Sequence, residues 1–209
     1  MVRVLAVADE EVEPFEARAA SLDVALLLAA GDLPWDYLER LVALLGVPGV
    51  FVPGNHEPDT RQAAPRGFVS ADETVVEVAG LRVAGLGGCV RYNGGRHQYT
   101  QDQHADRARR VLRRAGGHGV DVLLTHAPPL GLGDEPDPSH VGIAALHDLI
   151  DELRPSWHLH GHIHPYGLRK PDRERGATTV RNVIPWTVMD VEPGVATARA
   201  GAGTGDRRW

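Results

Sequence analysis

The chain has 209 residues, 43% of them hydrophobic and 24% charged, with a formal net charge of −6 at pH 7. That length suits one well-formed core, and the acidic balance argues against a partner gripped through many Lys and Arg contacts, such as long nucleic acid or an anionic membrane. The single cysteine, Cys89, excludes an internal disulfide, and no apolar run reaches membrane length; residues 1–8 are too short for a signal-peptide core, so a cytoplasmic protein is expected.

Short apolar runs rich in Val, Leu and Ala predict buried strands at 2–8, 22–29, 49–52, 74–78, 81–86, 120–124 and 156–160. Weaker candidates follow at 178–183, 187–191 and 195–199. Helical spacing predicts helices over 36–45, closed by Gly46, over 101–115, closed by Gly116, and over 142–153, with Pro155 just beyond. In the second of these, Arg107, Arg109, Arg110, Arg113 and Arg114 read as a solvated face. Strands alternate with helices in the first half, whereas 68–86 and the last strands read as consecutive. That mixture predicts an α/β (α+β) fold of two packed sheets with helices outside, not a simple doubly wound sheet. Residues 1–200 are expected to form a single domain, with a flexible Gly-rich tail at 201–209. The polar stretch 131–140 is a long loop suited to flank a pocket.

The chemistry lies just after the strands. Run 2–8 is followed by Asp9, 22–29 by Gly31-Asp32, and 49–52 by Gly54-Asn55-His56-Glu57. Run 120–124 is followed by His126, and 156–160 by Gly161-His162-Ile163-His164. Parallel neighbours bring such strand ends together, although they are far apart in sequence. The donors are carboxylate, carboxamide and imidazole without thiolate, a set that suits Mn, Fe, Zn or Mg in an open, reactive site rather than a closed structural zinc site. Six or more ligands are too many for one catalytic ion. They match two ions about 3.5–4 Å apart sharing a carboxylate. Taken singly, each residue has a plain structural role: Asp32 as a helix cap, Asn55 as a turn residue, His126 as a loop histidine. His158 and His160 share one strand face and read as packing or as support for ligands. His97, His104, His118, His140 and His147 read as exposed, His140 being placed to line a pocket. Arg91, in the Gly-rich stretch 85–95, suits a phosphate oxygen but is equally a solvated Arg in a turn.

Asp9, Gly31-Asp32, Gly54–Glu57, Thr125-His126 and Gly161–His164, in this order, resemble the motif series of the calcineurin-like metallophosphoesterases. The stretches 123–134 and 158–167 further resemble a bacterial subgroup related to the brain-type metallophosphodiesterases. The resemblance implies a four-layer αββα sandwich of two mixed sheets flanked by helices. It implies two divalent ions, manganese foremost, with Asp9, Asp32 and His164 on the first and Asp32 bridging to the second, held by Asn55, His126 and His162. His56 would meet the phosphate, alongside Asn55, and would act catalytically on the leaving oxygen. A metal-bound hydroxide would attack a phosphodiester, or a phosphomonoester, of a small molecule or nucleotide. The chain departs from the pattern at Glu11, which stands where the family has histidine. Either Glu11 binds the first ion and hardens that site, or it faces away and leaves three protein ligands. The competing reading is a non-catalytic metal-binding scaffold of the same fold, acting as an interaction subunit.

Overall fold

Strand β1 (Val2–Val7) sets the layering. Its alternation sends Val4 and Ala6 to one side and Leu5 and Val7 to the other, and all four are buried. In this computed structural model, which describes residues 1–12, 21–57, 63–168 and 170–194, β1 lies within a five-stranded mixed sheet. It runs parallel to β2 (Leu26–Ala29), followed by β3 (Gly49–Phe51) and β4 (Phe68–Ser70), with β13 (Trp186–Val191) antiparallel at its other side. A second sheet is built around the parallel strands β6 (Leu81–Leu86), β9 (Val122–Thr125), β10 (Trp157–His160) and β12 (Thr178–Asn182). Antiparallel edges close it: β5 (Val75–Val78) beside β6 and β11 (Arg173–Arg175) beside β12. A small parallel pair, β7 (Cys89–Val90) and β8 (Gln98–Tyr99), follows β6.

The sheets face one another across Val4, Ala6, Leu28, Val50, Val83, Val122 and Leu159. Helix α1 (Trp35–Leu45) covers the outer face of the first sheet, with Tyr37, Leu38 and Leu41 against Leu5, Leu27 and Phe51. Helices α2 (Gln101–Ala115) and α3 (Leu146–Leu153) cover the outer face of the second, with Val111, Leu146 and Leu149 against Ala84, Leu86 and Leu123. The result is the αββα sandwich of two mixed sheets. No helix among the described residues is long and apolar enough to cross a membrane.

Local chemistry explains the boundaries. α2 starts at Thr100 because that side chain accepts from the Gln103 N–H while Gln103 reaches back to the Thr100 N–H. α1 and α2 each stop at a left-handed glycine, Gly46 and Gly116. α3 begins at Leu146 rather than at the expected 142. Residues 142–144 give their N–H groups to Asp134, Pro128 and Gln101, so they are held as a loop. Two further expectations are corrected. Arg107 is not solvated: it is 2% exposed, bonds Asp72, Glu73 and the Gly87 carbonyl, and stacks 3.9 Å from the Tyr99 ring centre. His104 is fully buried, 3.0 Å from the Cys89 carbonyl. The expected strand at 195–199 and the tail at 201–209 lie outside the described residues.

Candidate metal centre

The ends of β1, β2, β3, β9 and β10 deliver their following residues to one edge of the sandwich. Asp9, Asp32 and His162 take left-handed backbone there, with φ of 62°, 56° and 67°. Asp and His tolerate this region better than bulkier residues. The left-handed residue breaks the strand at once and leaves the side chain beside the sheet edge. The motif glycines make room. A methyl on Gly54 would overlap the Asp32 carboxylate, and one on Gly161 would overlap that of Asp9. A methyl on Gly31 would come within 2.6 Å of the Gly54 nitrogen and 2.7 Å of His126 Nδ1.

Oxygen or nitrogen atoms of Asp9, Asp32 and His126 lie within 4.8 Å of one another. His126 is fully buried, and its Nδ1 is 2.7 Å from the Ala30 carbonyl, which accepts its proton and fixes the tautomer. The remaining nitrogen, Nε2, faces Asp32 Oδ2 at 3.3 Å and Asn55 Oδ1 at 3.0 Å. A nitrogen lone pair aimed at two oxygens demands a cation between them, either a proton or a metal ion. This is the fit expected of ligands, and the donor set suits hard or borderline divalent ions. His162 joins the group: its ring centre is 4.8 Å from that of His126, and its N–H donates to Asp9 at 3.0 Å. Its Nε2 is held 2.8 Å from the Ser139 carbonyl, which leaves Nδ1 as the nitrogen available to a metal.

The charges agree with this geometry. Burial pushes the Asp9 carboxyl up to about 6. Burial also works against a charged Asp32, but the neighbouring His126 prevails and holds it at about 2. Burial opposes an imidazolium at His126, yet Asp32 and Asp9 raise it to about 9. His162 is pressed down to about 3 by burial and by the charge on His126.

The other expected residues stand at the margin. His164 is half-exposed, with Nε2 3.9 Å from Asp9 and Nδ1 3.0 Å from Glu10. Glu11 is not brought into the cluster. Its carboxylate lies 3.7 Å from Arg40 of α1, and Glu10 is the acid beside His164. His56 is exposed, and its N–H donates to Asp32 Oδ1 at 2.7 Å. Arg91 is turned away toward Gln103 at 3.1 Å. The loop at 131–140 flanks the cluster through Ser139 and through His140, whose ring centre is 5.4 Å from that of His162.

Two residues without an assigned role in the sequence belong to the arrangement. Glu57, within the Gly54–Glu57 motif, accepts from the Gly54 N–H at 2.9 Å, the Asp32 N–H at 3.1 Å and the Trp35 indole at 2.9 Å. It thereby joins two ligand turns to α1. Tyr92 accepts from Asn55 Nδ2 at 3.3 Å. The motif signalled Glu57, whereas nothing local to residue 92 signals its phenol.

Two mixed sheets face to face, with carboxylate, carboxamide and imidazole donors gathered at the ends of parallel strands, define the class of open metal sites carried on an αββα sandwich. The family model described as calcineurin-like phosphoesterase matches residues 6–166, and the chain belongs to that family. Its members use divalent metals. A solved crystal structure superposes with a TM-score of 0.63 at 19% identity, over 86% of this chain and 89% of that one. The crystal structure of TT1561 of Thermus thermophilus superposes with a TM-score of 0.58 at 18% identity, over 87% and 88%. Both show likeness of fold. UPF0046 protein T07D4.2 of Caenorhabditis elegans is 50% identical over 48 residues, a stretch that spans 22% of this chain and 12% of that protein.

Proposed function

We propose that this protein is a metal-dependent phosphoesterase that hydrolyses a phosphodiester, or a phosphomonoester, of a small molecule or nucleotide. The observation that carries the reading is the buried His126 nitrogen aimed at Asp32 and Asn55. Asp32, Asn55, His126 and His162 would hold one divalent ion and Asp9, Asp32 and His164 the other, which accounts for donors that a packed core does not need. Manganese fits the oxygen-rich set, with iron, zinc or magnesium compatible. Such ions, when bound, supply Lewis acidity toward a phosphoryl oxygen and acidify water.

The chain's own groups do the rest. Asp32 is held by the His56 N–H and, through its own N–H, by Glu57, so its carboxylate is oriented in advance. His56 stands exposed beside it, where its ring can meet the phosphate and give a proton to the leaving oxygen. The net charge of −6 fits a small phosphorylated partner better than long nucleic acid. The lone, buried Cys89 fits a reducing compartment such as the cytoplasm.

The purified protein with Mn²⁺ should cleave bis(p-nitrophenyl) phosphate, and Asp32→Ala should abolish the activity. Equal rates in the two proteins would remove the reading. One observation favours the second reading, a metal-binding interaction subunit: Glu11 pairs with Arg40, which leaves the first ion with fewer protein ligands. Metal content per chain measured beside turnover separates the two, since a scaffold holds metal without hydrolysing any ester.

A further inference from the structure

We infer that Tyr92 is a substrate-contacting residue of this site, its hydroxyl donating to an oxygen of the bound phosphate. The inference rests on the phosphoesterase reading and extends it to a residue outside the motif series. Asn55 ties the two together. Its Oδ1 faces His126 Nε2 at 3.0 Å, so its amide hydrogens face the other way, and Tyr92 Oη takes one of them at 3.3 Å. A phenol has one proton to give and lone pairs to accept with. With Asn55 turned toward a cation, the Tyr92 oxygen must accept, and its own proton is left to point elsewhere. Among the described residues no acceptor takes that proton. A phosphoryl oxygen beside an ion held by Asn55 supplies one, and an anionic acceptor makes the stronger bond.

The loop is built to hold the phenol there. The buried Gln98 accepts from the Tyr92 and Asn93 N–H groups, each at 3.2 Å, and donates back to Asn93 Oδ1 at 2.7 Å. Beneath it, Asp72 takes the Gly87 N–H at 2.7 Å, and the buried Arg107 bonds both Asp72 and the Gly87 carbonyl. Arg91, one residue away, is spent on Gln103. The neutral donor, not the guanidinium, therefore faces the ligands. A donor of this kind recognises a tetrahedral oxyanion without neutralising it.

The test compares wild type with Tyr92→Phe, which removes the hydroxyl alone. Inorganic phosphate is titrated calorimetrically into the Mn²⁺-loaded proteins, and Mn²⁺ affinity is measured separately by the EPR signal of the free ion. The variant should bind phosphate about tenfold more weakly, as expected for a lost bond to a charged group. Its Mn²⁺ affinity should stay within about twofold of wild type, and its melting temperature should be unchanged. Equal phosphate affinity overturns the inference. So does a Mn²⁺ affinity that falls as far as the phosphate affinity, because Tyr92 would then only prop Asn55. Wild type that binds Mn²⁺ and phosphate but hydrolyses no ester sinks the proposed function and leaves this contact standing. Wild type that takes up no Mn²⁺ sinks both.

Discussion

Gly31→Ala is the sharpest probe of how the site is built, because three motifs meet at the missing side chain. The added Cβ would lie 2.6 Å from the Gly54 nitrogen, 2.7 Å from the Gly54 Cα and 2.7 Å from His126 Nδ1. Two of these atoms are backbone, so no side-chain rotation relieves the overlap. The φ of +95° adds strain of its own, about 1–3 kcal/mol for a residue with a Cβ. Overpacking contributes about another 1–3 kcal/mol. The sum, about 2–6 kcal/mol, corresponds to a fall of about 4–24 °C in melting temperature for a domain of this size. Gly80→Ala is the control: its φ is +79°, but its Cβ would meet nothing within 4 Å. It should show the strain alone. Differential scanning calorimetry of both variants with and without Mn²⁺ gives the readout. Wild type and Gly80→Ala should be stabilised by about 2.7 kcal/mol at a hundredfold excess of Mn²⁺ over its Kd. Gly31→Ala should lose that increment, because Gly54 and His126 are pushed apart. If Gly31→Ala costs no more than Gly80→Ala and keeps the Mn²⁺ increment, the close approach does not organise the centre and the reasoning fails.

Glu57→Gln should cost about 2 kcal/mol, because one of the three N–H donors meeting the carboxylate then faces an NH₂ group instead of an oxygen; urea unfolding at pH 7 checks this, and an unchanged midpoint would refute it. Acid sensitivity is expected from His104, which burial presses from 6.5 to about 4. The unfolded chain binds the proton first, so the contribution of His104 is complete above about pH 6.5 and is lost as pH falls toward 4, up to about 3 kcal/mol. His104→Gln should flatten the stability profile between pH 7 and pH 4.5, and a profile as steep as that of wild type would show that this ring is not the source.

The fold was legible wherever the signal was local. The helix at 101–115 was readable to the residue because Thr100, Gln103 and Gly116 cap it by themselves. The buried parallel strands announced themselves as unbroken apolar runs, since both of their faces pack. The short strands β7, β8 and β11, of two or three residues each, are too brief to show a period. Arg107 and His104 looked exposed because what buries them comes from elsewhere in the chain: Asp72 and Glu73 from the turn before β5, and Cys89 from the pair after β6. The gathering of Asp9, Asp32, Asn55, His126 and His162 at one edge was readable from their position after strands. Motif position alone does not reveal that Glu11 lies beside Arg40 while Glu10 lies beside His164.

The recurrence of left-handed backbone at Asp9, Asp32 and His162 has a common physical cause. At these three positions the chain leaves the ladder at once and keeps the side chain at the shared edge, whereas Asn55 and His126 reach the edge without a left-handed residue. One left-handed residue achieves this in the shortest length of chain, at a conformational cost of about 1–3 kcal/mol each. The surrounding structure holds the strain in place. The Asp9 carboxylate accepts the N–H of His162 at 3.0 Å, and Glu57 takes the N–H of Asp32 at 3.1 Å. Each bond ties a turn at one strand end to a residue delivered by another strand. Gly54 and Gly161 then permit the contact by offering no Cβ where a carboxylate lies. Candidate ligand, left-handed turn and facing glycine therefore recur as one unit at Asp9 with Gly161 and at Asp32 with Gly54, with the core between the sheets fixing the spacing of the strands that carry it. The motif glycines are thus as much a part of the metal-binding reading as the acids and imidazoles.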